Sequence, residues 1–285
     1  MPTADRDVVL VTGATSGLGL RLAEVLAAQG ATVLAHGRDR ARVRALTERL
    51  TAAGGTVRPY CADLSSLREV RTFARRVAEE QPRVDVLVNN AGVGPGPQDG
   101  ARELSTDGHE LRFAVGYLAP YVLTRALVPR LLRARAGRVV NVGSGAQVEI
   151  DFDDLTMAGF YNGWIAYGRA KLALASLTVD LAAELGPRGV AVSCVHPADL
   201  MPTPMVRRTG LAPRSTLDQG AEAVLRLIHG TGGADTQPGH YYNGLRPESP
   251  HPDVLRPDRR ERLRRVTEEL LAAEATAADI CHLDP

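Results

Sequence analysis

Short apolar runs alternate with stretches of helical spacing along most of the chain. Val8 to Val11, Thr32 to Ala35, Thr56 to Tyr60, Val84 to Val88, Arg138 to Val142 and Val190 to Val195 are rich in valine and bounded by glycine or proline, as strands are. Between them, Leu20 to Gln29, Arg40 to Ala52, Ser66 to Glu80, His109 to Arg133 and Ile165 to Leu185 carry the spacing of helices. This alternation predicts an α/β fold, a doubly wound parallel sheet with helices on both faces. No repeat or linker divides it, so residues 1–250 read as one domain and 251–285 as a C-terminal helical extension. In the extension, Asp258 and Glu261 fit a capping box ahead of Leu263, Val266, Leu270 and Leu271 on one helical face.

Composition narrows the partners. With 285 residues, 44% of them hydrophobic, the chain can bury a sizeable core, and a net charge of +1 gives no general reason to expect nucleic acid or a membrane surface. No apolar run reaches membrane-spanning length, and Met1 to Val11 leads straight into a strand without a secretory pattern, which makes the cytoplasm the default. Cys61, Cys194 and Cys281 are too scattered for a disulfide framework or zinc ribbon; the first two read as small core residues at strand ends. His196, His229, His240 and His251 lack metal-ligand spacing, so no metal is expected.

Two segments carry chemistry. The first strand runs into Thr12-Gly13-Ala14-Thr15-Ser16-Gly17-Leu18-Gly19 and then a helix. Glycines there allow a tight turn against a pyrophosphate, whose charge the exposed N–H groups and helix N-terminus receive. The second is Tyr167 with Lys171, the only lysine among 34 basic side chains. Most positions needing only positive charge have been filled by arginine, so this one needs a compact ammonium on a flexible stem. Four residues on along a helix, it shares a face with Tyr167, where its charge favours the phenolate.

These motifs resemble the short-chain dehydrogenase/reductase family from about Val8 to about Thr203. The family's glycine turn is matched by Gly13, Gly17 and Gly19, its Asn-Asn-Ala-Gly segment by Asn89, Asn90, Ala91 and Gly92, its catalytic serine by Ser144, and its Tyr-x-x-x-Lys motif by Tyr167 and Lys171. Phe152-Asp153-Asp154-Leu155 and Tyr161-Asn162-Gly163-Trp164 are similar to the longer serine-to-tyrosine interval of retinol-dehydrogenase-like members. The resemblance implies a Rossmann-type domain. It also implies a nicotinamide cofactor held by Gly13, Thr15, Ser16, Gly17, Leu18, Gly19, Asp63, Leu64, Asn90, Ala91, Gly92, Tyr167, Lys171, Pro197 and Thr203, and a homo-oligomer, dimer or tetramer. Asp63 would contact adenine, Asn90 would shape the cofactor floor, and Thr203 would contact the nicotinamide carboxamide.

The second strand ends in His36-Gly37-Arg38-Asp39 rather than in an acidic residue at the ribose position. Arg38 can pair with a 2′-phosphate and Gly37 leaves room beside it, which favours NADP(H). The alternative places Arg38 in solvent with Asp39 turned to the ribose. In carbonyl reduction Ser144 would bind the substrate oxygen, Tyr167 would protonate it, and Lys171 would support the tyrosine and hold the ribose.

One position departs from the family: Gly116, in Phe113-Ala114-Val115-Gly116-Tyr117, stands where an active-site asparagine is usual. A gap there would admit water or substrate, or reflect tolerated drift. The segment Asp199 to Arg214 reads as a substrate lid with Met201, Met205 and Leu211 as apolar contacts, and Tyr161, Trp164 and Tyr241 as an aromatic wall. A moderately large, partly apolar carbonyl or alcohol substrate follows. Two rivals stand beside this reading: a redox-neutral enzyme on the same fold (dehydration, epimerisation or cyclisation), suggested by Gly116, and a non-catalytic NADP(H) sensor.

Overall fold

The computed structural model describes residues 6–96, 100–230 and 239–280, with side chains as far as 274. Met1 to Asp5, in the segment read for a secretory pattern, and Cys281 lie outside them. The expected alternation is present: β1 (Val8–Val11), α1 (Gly17–Ala28), β2 (Thr32–Gly37), α2 (Arg40–Ala52), β3 (Thr56–Cys61), α3 (Leu67–Glu80), β4 (Val86–Asn89), α4 (Leu111–Phe113), α5 (Ala119–Leu131), β5 (Gly137–Val142), α6 (Gly163–Leu185), β6 (Val190–His196), α7 (Pro204–Arg207) and α8 (Leu217–His229). Then follow β7 (Tyr241–Asn243), β8 (Arg246–Glu248), α9 (Pro252–Leu255) and α10 (Pro257–Ile280).

The sheet order is β3-β2-β1-β4-β5-β6-β7-β8, parallel up to β7, with β8 antiparallel. The order of strand addition reverses across the β1–β4 boundary, and because these strands are parallel the loops after β1, β4 and β5 lie together at the carboxyl edge of the sheet, where ligands of such folds bind. Strand alternation divides the core in two. Leu10, Leu34, Leu87, Val139 and Val192 face α3, α5 and α6, while Val9, Val11, Val33, Val88 and Val140 face α1 and α8. Val254 and Leu263 of the C-terminal extension join the first of these cores.

Four local expectations are corrected. The stretch read as one helix contains a π-turn, Ala114–Leu118, between α4 and α5. Strands β7 and β8 were not expected. Cys61 is exposed because β3 is an edge strand, whereas Cys194 is buried and its thiol is pushed up to about 12 by burial. Helix α10 begins at Pro257, so Asp258 lies inside its first turn, paired with Arg256 at 2.7 Å rather than capping the helix. The expectation that no apolar run reaches membrane-spanning length is also corrected: Leu111–Leu131 is long and apolar enough to cross a membrane, and 78% of its most apolar window is buried inside the fold.

Candidate active site

The glycine turn after β1 is braced from three sides. Thr12 is buried; its Oγ1 donates to Val88 O and accepts from the N–H groups of Asn90 and Ala91 at 2.9 and 3.0 Å. The Asn90 amide donates to Thr12 O at 2.7 Å, so this asparagine shapes the turn itself. From β2, His36 O accepts from Ala14 N at 2.8 Å and His36 Nδ1 accepts from Gly13 N at 3.3 Å, while Nε2 lies 3.1 Å from Ala62 O. These partners require the tautomer with hydrogen on Nε2. The ring stacks on Phe73 at 4.7 Å. Glycine is needed at Gly13, where φ is +68°, and at Gly19, where a Cβ would fall 2.2 Å from Gly13 O.

Burial lowers the His36 pKa to about 4, partly opposed by its bond to Ala62 and by Asp63. An unfolded chain with an ordinary histidine near 6.5 therefore binds more protons between these values. Stability is expected to fall as pH drops from about 6.5 towards 4, by on the order of 3 kcal/mol from this group, and to lose this dependence below that window. His36→Asn keeps an acceptor near Gly13 but does not titrate. Its thermal midpoint should change less with pH than that of the wild type; parallel curves would contradict the assignment.

Several cofactor expectations can now be placed. Ser16 is the extended N-cap of α1 with no side-chain capping bond, which leaves the helix N-terminus to an anion. Arg38 is exposed at the end of β2, and among the described residues its guanidinium has no partner. Asp39 accepts from Ala41 N and Arg42 N as the N-cap of α2, so the alternative that turns it to the ribose is not seen. Gly37 corrects the expected reason for a glycine: a Cβ there would meet Thr15 Cγ2 at 2.7 Å and Val43 Cγ2 at 2.9 Å, so neighbouring side chains fill the room. Leu18 and Leu64 are buried in the two cores, and Pro197 is buried after β6. Asp63 Oδ1 accepts from Ser65 N. Thr203 caps α7 and lies against Gly17, where a Cβ would come 3.0 Å from its Cγ2.

The second half of the site is built by β5 and α6. Lys171 is 5% exposed; its ammonium donates to Val142 O at 2.7 Å and lies 5.6 Å from the centre of the Tyr167 ring. A Cβ on Gly92 would be 3.8 Å from Nζ, which puts Lys171 beside the segment after β4. Ser144 follows β5, and its Oγ accepts from Ala146 N at 3.1 Å, which leaves the hydroxyl hydrogen to be donated. The serine loop is tied to α6 one residue past Tyr167, because Val148 N donates to Gly168 O at 3.2 Å. Gly168 has no side chain to block this approach: a Cβ would meet Val148 Cγ2 at 2.5 Å.

The substrate side differs from expectation. Met205 packs over Gly92 and Gly94, but Met201 packs against Gly220 near Leu18, and Leu211 is 44% exposed. Of the three aromatics, Trp164 is partly exposed, and Tyr161 is turned onto the buried pair of Arg112 and Glu110, its hydroxyl 3.4 Å from Glu110 Oε1. Tyr241 is buried and does not line a wall. Arg112, which the sequence reading passed over, also donates to Gly94 O and Pro95 O, fixing the segment that packs on the start of α6. Its only signal in the sequence was a charged residue inside an apolar helix.

At Gly116 an added Cβ would meet only Ala170 Cβ, at 3.3 Å. The glycine lets the π-turn approach the helix that carries Tyr167 and Lys171, a packing reason for the departure. Gly116→Asn should keep turnover, with Ala170 yielding a few tenths of an ångström and roughly 0.3 kcal/mol of helix cost relieved, because asparagine is itself a poor helix former. Loss of turnover with NADPH affinity unchanged would show that the position must stay open.

Comparisons with known proteins show which family and fold this chain shares. The family model for short chain dehydrogenase matches residues 7–213. Human retinol dehydrogenase 13 is 31% identical, over 94% of this chain and 85% of its own length. An uncharacterized protein from Mycobacterium paratuberculosis superposes with a TM-score of 0.75 at 29% identity, covering 94% of this chain and 93% of its own. The NADP complex of Pseudomonas aeruginosa RhlG gives a TM-score of 0.68 at 28% identity, covering 84% and 94%.

Proposed function

The chain belongs to the short-chain dehydrogenase family, and from that premise we propose that it is an NADP(H)-dependent oxidoreductase that reduces a ketone or aldehyde, or oxidises the alcohol. The observation that carries the reading is the joining of Ser144 and Tyr167 through Val148 and Gly168, with buried Lys171 beside the ring. The glycine turn, the uncapped start of α1 and Arg38, whose guanidinium has no partner among the described residues, suit a dinucleotide with a 2′-phosphate. When bound, the nicotinamide supplies the hydride.

The chain's own residues handle the charge and the proton. Ser144 donates its hydroxyl hydrogen to the substrate oxygen as negative charge builds there. Tyr167 transfers its phenolic proton to that oxygen. Lys171, held by Val142 O, stabilises the phenolate left behind and has further N–H groups to offer a ribose. Met205 and Trp164 offer apolar surface to a moderately large substrate. The reading is tested by incubating the enzyme with a carbonyl panel and either NADPH or NADH while following cofactor absorbance and product mass. Carbonyl-dependent loss of NADPH is expected. Product of unchanged oxidation level, with cofactor intact, would favour the redox-neutral rival; cofactor binding with no product from any carbonyl would favour the sensor.

A further inference from the structure

The Ser144 carbonyl accepts two side-chain hydrogen bonds, from the Tyr241 hydroxyl at 2.9 Å and from the Gln147 amide at 3.1 Å. Gln147 is held in turn, its Oε1 accepting from His251 N at 3.0 Å. Tyr241 and His251 both lie beyond residue 213, where the family match ends. We infer that Tyr241 and Gln147 are positioning residues that fix the peptide of Ser144, so that the C-terminal segment around residues 241–251 sets the aim of its hydroxyl.

Tyr241 is enclosed by the fold, its hydroxyl also meeting the Gln147 side chain. It is 5% exposed in β7, and burial raises its pKa, so the phenol stays a neutral donor. A Cβ on Gly143 would lie 2.6 Å from Cys194 Sγ but at an ordinary contact distance, 3.6 Å, from the Tyr241 ring, so the glycine admits Cys194 and leaves the ring packed alongside. The Ser144 peptide is thus supported from the β7 side by Tyr241 and at its own turn by Gln147. Its Oγ is oriented separately by Ala146 N. With carbonyl and hydroxyl oxygens both engaged as acceptors, the serine loop holds one arrangement before substrate arrives, as preorganised charge stabilisation requires.

The inference rests on the proposed carbonyl reduction for its kinetic consequence, but the positioning itself has a readout without activity. Tyr241→Phe removes one hydroxyl, and Gln147→Ala provides a second variant should the first fold poorly. Each is expected to lower kcat about 5- to 10-fold, the scale of one lost hydrogen bond, with NADPH affinity unchanged. In a Ser144→Ala background, Tyr241→Phe should cost almost nothing further, because the group it aims is gone. Amide exchange followed by mass spectrometry on a peptide covering 143–148 should be faster in both variants. Unchanged kcat in both variants, or an equal loss with and without Ser144, would overturn the kinetic part. If the wild type reduces no carbonyl, the proposed function fails and exchange alone decides the positioning; unchanged exchange overturns it.

Discussion

Tyr167→Phe is expected to lower turnover by roughly 10² or more while leaving fold and NADPH affinity in place. The substitution removes the hydroxyl and its proton with little change in volume. Tyr167 is half-buried on α6, beside the only lysine in the chain. The Lys171 ammonium donates to Val142 O rather than to the phenol, so removing the phenol should not release it. Steady-state rates with a carbonyl substrate, together with NADPH titration, separate a chemical loss from a binding loss. A variant with full activity would remove Tyr167 from the mechanism.

Arg38→Ala should weaken NADPH binding by about 10- to 100-fold and NADH binding little, the range for losing charged hydrogen bonds to a phosphate. The structure makes this a clean test. Arg38 is exposed with no side-chain partner among the described residues, so its removal breaks no ion pair. Asp39 is occupied in capping α2 and is not set free by the change. Fluorescence titration of both cofactors against both proteins gives the comparison. Equal losses for the two cofactors would sink the phosphate role, and a wild-type preference for NADH would sink the cofactor assignment.

The parts of this protein that declared themselves in sequence are those with a local cause. Six valine-rich strands, the glycine turn and the Tyr167–Lys171 spacing follow from period, backbone freedom and helix geometry, each contained within a few residues. What escaped depends on partners distant in the chain. Strands β7 and β8 are three residues each and form only because β6 offers an edge to Tyr241–Asn243. Tyr241 looked like a wall residue because aromatic side chains near a site suit that role; its burial behind Ser144 comes from the pairing of β7 with β6 and from the bond of its hydroxyl to Ser144 O, 97 positions earlier. The sequence also showed His36 only as part of a strand-end motif. Its two ring-nitrogen contacts, to Gly13 and Ala62, come from loops that sequence spacing does not relate. Gly116 was legible as a departure, but the methyl of Ala170 that gives it a packing role lies on another helix.

The measurement that bears most directly on the proposed chemistry uses NADPH carrying deuterium at the transferable position of the nicotinamide, with wild-type protein and a carbonyl substrate. The account predicts that deuterium appears on the former carbonyl carbon of the alcohol, one atom for each NADPH consumed, and that Tyr167→Phe slows this transfer without diverting it. Product that forms without label while NADPH remains intact would contradict hydride transfer and assign the site to redox-neutral work.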